Sequence, residues 1–130
     1  MQSTPQLFND SWDRIQTNNK QFISCFYHYL IANSEEITQI FVNSKIQEPE
    51  KLLHTSILYI VTFSTAKLPE KSLQRVKTIH EKLNISDDHF NLWMESLICA
   101  VKVWDPKFSP EVETAWLKTF KLGLDFMKKA

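Results

Sequence analysis

Gly123 is the single glycine in a chain of 130 residues. Two-residue β-hairpins draw on glycine for their positive φ, so this chain is poorly equipped to build an antiparallel sheet. Glycine-rich phosphate loops and the GxSxG nucleophile elbow need several glycines close together and are excluded outright. Helix remains, and the apolar spacing is helical almost throughout.

Thr4-Pro5 reads as an N-cap followed by proline in the first turn, with Leu7, Phe8, Ser11, Trp12 and Ile15 on one face. Asn18-Asn19 breaks that helix. A second carries Phe22, Phe26, Tyr29 and Leu30, with Ile23 and Tyr27 beside them, and ends at Asn33-Ser34. Ser34 can cap a short third helix bearing Ile37, Ile40 and Phe41. Beyond the irregular residues 42–48, Pro49 opens a long helix with Leu52, Leu53, Ser56, Ile57, Ile60 and Val61 inward. Its stretch SILYIVTF is dense enough in β-branched and aromatic residues to pass for a buried strand. The Pro-Glu-Lys start and the spacing of four favour helix. Pro69 starts the next, with Leu73, Val76, His80 and Leu83 on its inner face and Asn84 at its end. Ser86-Asp87-Asp88 caps another, carrying Phe90, Trp93, Leu97, Val101 and Trp104. Asp105-Pro106 breaks it. Ser109-Pro110-Glu111 starts the last, with Val112, Trp116, Phe120, Gly123 and Met127. The expectation is an all-α fold in one domain over residues 1–130, with about seven helices of unequal length around a pocket.

Lys plus Arg and Asp plus Glu are 15 each, so no basic field exists to gather phosphates, and nucleic acid is not expected as a partner. No apolar run reaches membrane-spanning length, and the first five residues are too polar for a signal peptide. A cytoplasmic protein is therefore expected, with Cys25 and Cys99 as buried reduced thiols.

The histidines carry the functional signal. His28, His54 and His89 read as surface or half-buried polar residues. His80 is placed inward, on a helix whose other face carries Lys71, Lys77, Glu81 and Lys82. Burying an imidazole among apolar groups is costly unless both nitrogens find partners. One N–H can donate to the carbonyl of Val76; the other nitrogen needs a donor or a metal. A satisfied core histidine and a metal ligand both stay open at this point. No second ligand lies at i+3 or i+4, so zinc and di-iron patterns are missing. A lone axial histidine in apolar surroundings is what haem requires, since the porphyrin brings four ligands itself. Nine phenylalanines and four tryptophans could bury such a disc, although most of them must be core. The paired carboxylates Glu35-Glu36 and Asp87-Asp88 sit at helix starts, where the helix dipole accounts for them.

Three stretches carry a family resemblance: FYHYLIANSEEITQIF (26–41), HEKLNISDDHF (80–90) and FSPEVETAW (108–116). In order and spacing the chain resembles a globin, of the bacterial single-domain haemoglobin and flavohaemoglobin haem-domain kind. The resemblance implies haem b as cofactor, with His80 as the proximal iron ligand. It also implies Tyr27 as a distal hydroxyl that donates to a bound ligand, and Phe41 as the ring packed on the porphyrin. Val76 then belongs to the proximal wall. The distal position of the fourth helix stays open. Matching Pro49 to the family's proline puts Glu48 in the place of its distal glutamine and Leu52 at the iron. Matching one step later puts Pro49 there and Leu53 at the iron. Gln47 substitutes if the loop shifts, and His54 is a candidate sixth ligand. The tyrosine and glutamate that buttress the proximal histidine in flavohaemoglobin-like members have no match: Phe90 takes the first place, and the sequence stops before the second. The implied function is reversible oxygen binding, or sensing and handling of O2, NO or CO. The alternatives are nitric oxide dioxygenation with a separate reductase, and a haem-free globin-like interaction module.

Overall fold

The structure, a computed structural model, describes residues 2–66 and 70–128. Seven helices follow one another: α1 (Thr4–Gln16), α2 (Asn19–Ala32), α3 (Glu35–Asn43), α4 (Pro49–Ala66), α5 (Glu70–Lys82), α6 (Asp87–Trp104) and α7 (Pro110–Met127). No strand occurs among the described residues, and SILYIVTF lies inside α4. The expected start at Pro69 falls outside the described residues.

Side-chain caps define the starts. Ser34, Ser86 and Ser109 each accept the backbone N–H three residues on, as their positions before apolar runs suggest. At the first helix the cap is Ser3 rather than Thr4, because Gln6 completes a capping box with Ser3. Thr4 is already helical. Asn84 adopts φ 59° just past α5, a left-handed conformation that asparagine tolerates.

α2 lies against α6, α1 against α7, and α4 against both α7 and α2. Phe22, Phe26 and Leu30 from α2 meet Leu97, Ala100 and Val101 in a core closed by Val112, Trp116 and Phe120 of α7. Rings knit this core together: Phe8 meets Trp116 edge-on at 4.8 Å, and Phe26 meets Trp93 edge-on at 5.4 Å. Two expectations for the core fail for one reason, helix register. Phe22, Phe26 and Leu30 occupy the inner row of α2, so Tyr29 falls outside it and is exposed. Leu97, Ala100 and Val101 do the same on α6, so Cys99 is exposed; Cys25 is only half-buried.

Gly123 lies where α7 packs on Ile60 of α4. A Cβ there would meet Cδ1 and Cγ2 of Ile60 at 3.0 Å. The glycine thus serves side-chain packing, not turn geometry.

The main buried polar group is Asp105, at the C-cap of α6. Ser11 Oγ donates to its carboxylate at 2.6 Å, Arg14 Nε at 2.6 Å, Arg14 Nη2 at 2.9 Å and the Lys107 N–H at 2.9 Å. Ser11 Oγ in turn accepts from Trp116 Nε1 at 2.9 Å. Burial alone would raise the Asp105 carboxyl. The hydrogen bonds from Arg14, Ser11 and Lys107 outweigh it and hold the group below its ordinary value.

Asp105→Ala takes the acceptor from the Ser11 hydroxyl and from a half-buried guanidinium and is expected to cost about 3 kcal/mol in urea unfolding. The lowered carboxyl contributes stability in full above the unfolded value of about 3.9, lost as pH falls through the lower folded value. Asp105→Asn should remove that acid-dependent step. Gly123→Ala would add about 1 kcal/mol on helix propensity alone. The contact with Ile60 is expected to cancel this, so a raised urea midpoint would show that α4 yields.

Candidate functional site

α3, α4, α5 and α6 wall a cavity of about 270 Å³, with Leu30 of α2 and Leu124 and Met127 of α7 completing it. Including its open mouth, the free space is about 1140 Å³. The lining is largely aliphatic and aromatic. Its side-chain polar groups are those of Thr55, Ser56, Tyr59, His80 and His89, with the indole N–H of Trp93.

Most of these polar groups are committed or face out. Ser56 Oγ donates to the Leu53 carbonyl at 2.7 Å. Thr55 and Tyr59 are exposed on α4, so their hydroxyls stand where the cavity meets solvent. His89 is the N3 residue of the α6 capping box. Its Nδ1 accepts the Ser86 N–H at 3.0 Å, and its Nε2 lies 3.7 Å from Glu36 Oε2. Both its nitrogens are engaged, which the sequence did not suggest; a histidine at N3 is an unusual substitute for glutamate or glutamine.

His80 differs. It projects from the last turn of α5, whose end is tied down by the Ile85 N–H donating to the His80 carbonyl at 3.0 Å. Its Nδ1 is sealed from solvent and has no hydrogen-bond partner among the described residues. The expected donation to the Val76 carbonyl is not made; in a regular helix that carbonyl already serves the backbone N–H four residues on. The nearest ring is Phe90, edge-on at 5.5 Å between centroids. Burial pushes the imidazole below its ordinary value of 6.5, so the ring stays neutral with a lone pair available. A buried polar nitrogen without a partner costs about 1–3 kcal/mol. With Nδ1 sealed, Nε2 is the atom left to bind anything in the cavity.

Of the residues singled out from the sequence, His80, Phe41, Val76, Leu52 and Leu53 line this one cavity. Both leucines reach it, so the two alternatives for α4 describe one wall. Tyr27 is not in the lining. It stands behind Phe41, ring centroids 5.8 Å apart and nearly perpendicular. Gln47 is exposed in the α3–α4 connection, and His54 is half-buried on α4; neither lines the cavity. His89, Tyr59, Ser56 and Ile46 line it without having been foreseen.

The donor set suits a flat apolar group with its own metal ligands. Among the described residues no group of three or more His, Cys, Asp or Glu could hold a bare ion. One neutral imidazole, a wide apolar wall and hydroxyls at the edge fit haem, which needs one axial nitrogen from the protein.

His80→Leu in protein kept free of haem is expected to raise stability by about 1 kcal/mol near neutral pH, by removing an unpartnered polar group. It should also flatten the pH response. Because the folded imidazole titrates below the unfolded one, its contribution is complete above about pH 6.5 and falls with acidification through the folded value. Urea titrations at about pH 7.5 and about pH 5 would show the difference; a destabilised His80→Leu would make this histidine a packing residue.

No family model and no curated protein matches the sequence. A solved structure does: a Pseudomonas aeruginosa protein described as structurally highly homologous to a human hemoglobin. It superposes with a TM-score of 0.84, at 22% identity, over 97% of this chain and 96% of that one. The order of the helices, their packing and this superposition agree: the chain has the globin fold.

Proposed function

We propose that this chain is a haem-binding globin that handles diatomic gases, with reversible oxygen binding or gas sensing as its role. The observation that carries the reading is His80, a neutral imidazole whose sealed nitrogen has no hydrogen-bond partner among the described residues, set in a cavity walled largely by apolar groups. Haem supplies an iron with one coordination position for a gas once the porphyrin and one imidazole hold the rest. In this proposal His80 holds that iron through Nε2. Phe41, Val76, Leu52 and Leu53 bury the porphyrin faces and keep water from the gas site. Tyr27 supports Phe41 from behind. Thr55 and Tyr59, exposed at the edge, offer hydroxyls to the haem carboxylates. Gln47 and His54 have no part, since neither faces the cavity.

Nitric oxide dioxygenation with a separate reductase is less well supported. Phe90 gives the proximal histidine no hydroxyl, so electron density is not pushed onto iron from that side. The haem-free interaction module is disfavoured by His80 in the cavity lining, and the visible spectrum separates it from the main reading.

Purified protein mixed with hemin is expected to take up one haem with a strong violet absorption band. His80→Ala should keep the helical circular dichroism yet lose haem to a scavenger faster by well over about tenfold, since disturbing even the outer shell of a ligand costs that much. A protein that stays colourless would end the proposal, and an unaltered band in His80→Ala would move the iron elsewhere.

A further inference from the structure

We propose that His80 is a releasable ligand, which matches the pocket to nitric oxide rather than to oxygen. This rests on the haem reading above and deepens it. Metal-bound imidazoles almost always donate their second N–H to a carboxylate, a carbonyl or water, which strengthens the ring as an electron donor. Here that nitrogen is sealed and unpartnered. The group beside the ring is Phe90, buried and edge-on at 5.5 Å, which has no acceptor atom. The other imidazole in the lining, His89, has its acceptor nitrogen filled by the Ser86 N–H and its second nitrogen toward Glu36. It cannot take the proton of His80. Glu81, the carboxylate next in sequence, is exposed on the outer side of α5.

An imidazole without such backing is a weak donor. Oxygen needs electron density from the ligand across the iron to bind firmly. Nitric oxide does not, and it weakens the bond on the far side of the metal. When nitric oxide binds ferrous haem, the bond between iron and the nitrogen of nitric oxide forms and the bond between iron and His80 Nε2 breaks. The imidazole leaves with its lone pair and keeps its Nδ1 proton, and no electron or external proton is exchanged. The His80 carbonyl accepts the Ile85 N–H at 3.0 Å, so displacement of this residue is passed to the turn that leads into α6.

The test is stoichiometric nitric oxide added to the haem-loaded ferrous chain, read by electron paramagnetic resonance, which reports whether a second nitrogen couples across the iron. None is expected. Coupling from a second nitrogen would overturn the proposal while leaving the haem reading intact. Failure to take up hemin would instead sink the haem reading and this inference with it. Phe90→Tyr places a hydroxyl at the ring edge. It is expected to raise the iron–histidine stretching frequency in resonance Raman spectra and to keep the second nitrogen coupled. Unchanged frequency and coupling in Phe90→Tyr would overturn the assignment of the weak bond to the missing acceptor.

Discussion

The contact of α4 with α7 at Gly123 links the helical core to the cavity wall. Ile60 sits where any larger residue would place its Cβ, and Ile60 also lines the cavity. One atom more on α7 would press on the Ile60 side chain, which shares the cavity wall with Leu52, Leu53 and Ser56. α7 can serve as this reference because its other side is locked. Trp116 donates to Ser11 on α1, and Ser11 with Arg14 donates to Asp105 at the end of α6. Three helices are thus pinned at one buried carboxylate, and a fourth is seated against them by a missing side chain. A chain otherwise without glycine keeps its one where two helices must come closest.

The legible parts of the sequence were those where a local rule acts alone. Ser34, Ser86 and Ser109 announce their helices because the cap and the apolar run are adjacent in the chain. The inner rows of α6 and α7 follow from spacing, because both helices are packed on by neighbours along their length. Spacing fails where a neighbouring position competes for the same face. Tyr29 lies one step, about 100° of helix, from Leu30, and Leu30 wins. Leu52 and Leu83 are a subtler case. Both were placed inward, and both line the cavity while remaining exposed, since that face meets an open pocket rather than another helix.

The site was legible to the same extent. His80, Val76, Leu52 and Leu53 are positions on helices, and a helical period locates them. Phe41 closes the row begun by Ile37, and the globin resemblance named its role. Gln47 sits beyond α3 after Lys45, whose φ of 55° breaks any period, so nothing in the sequence could aim its side chain. Tyr27 borders the inner row of α2 closely enough to pack on Phe41 without entering the cavity. His89 could have been found only by asking why a histidine stands where a capping box calls for glutamate, and its contact with Glu36 across to α3 depends on tertiary placement.

Asp105 and His80 show how to tell a polar group that serves the fold from one that serves something else. Asp105 is buried and every hydrogen bond it needs is supplied, by two side chains and a backbone N–H, so removing it damages the structure alone. His80 has a sealed nitrogen with no partner among the described residues. Asn19 and Ser96 also bury a polar atom without a partner among the described residues, but neither lines the cavity. A chain selected for stability alone would do better with leucine at position 80, which shares the size and suits the walls. That an imidazole with a sealed, unpartnered nitrogen stands in a largely apolar cavity is a local conflict of the kind that marks function. The absent backing of that ring is the same conflict seen from the other side: Phe90, edge-on at 5.5 Å, brings no oxygen or nitrogen to the imidazole.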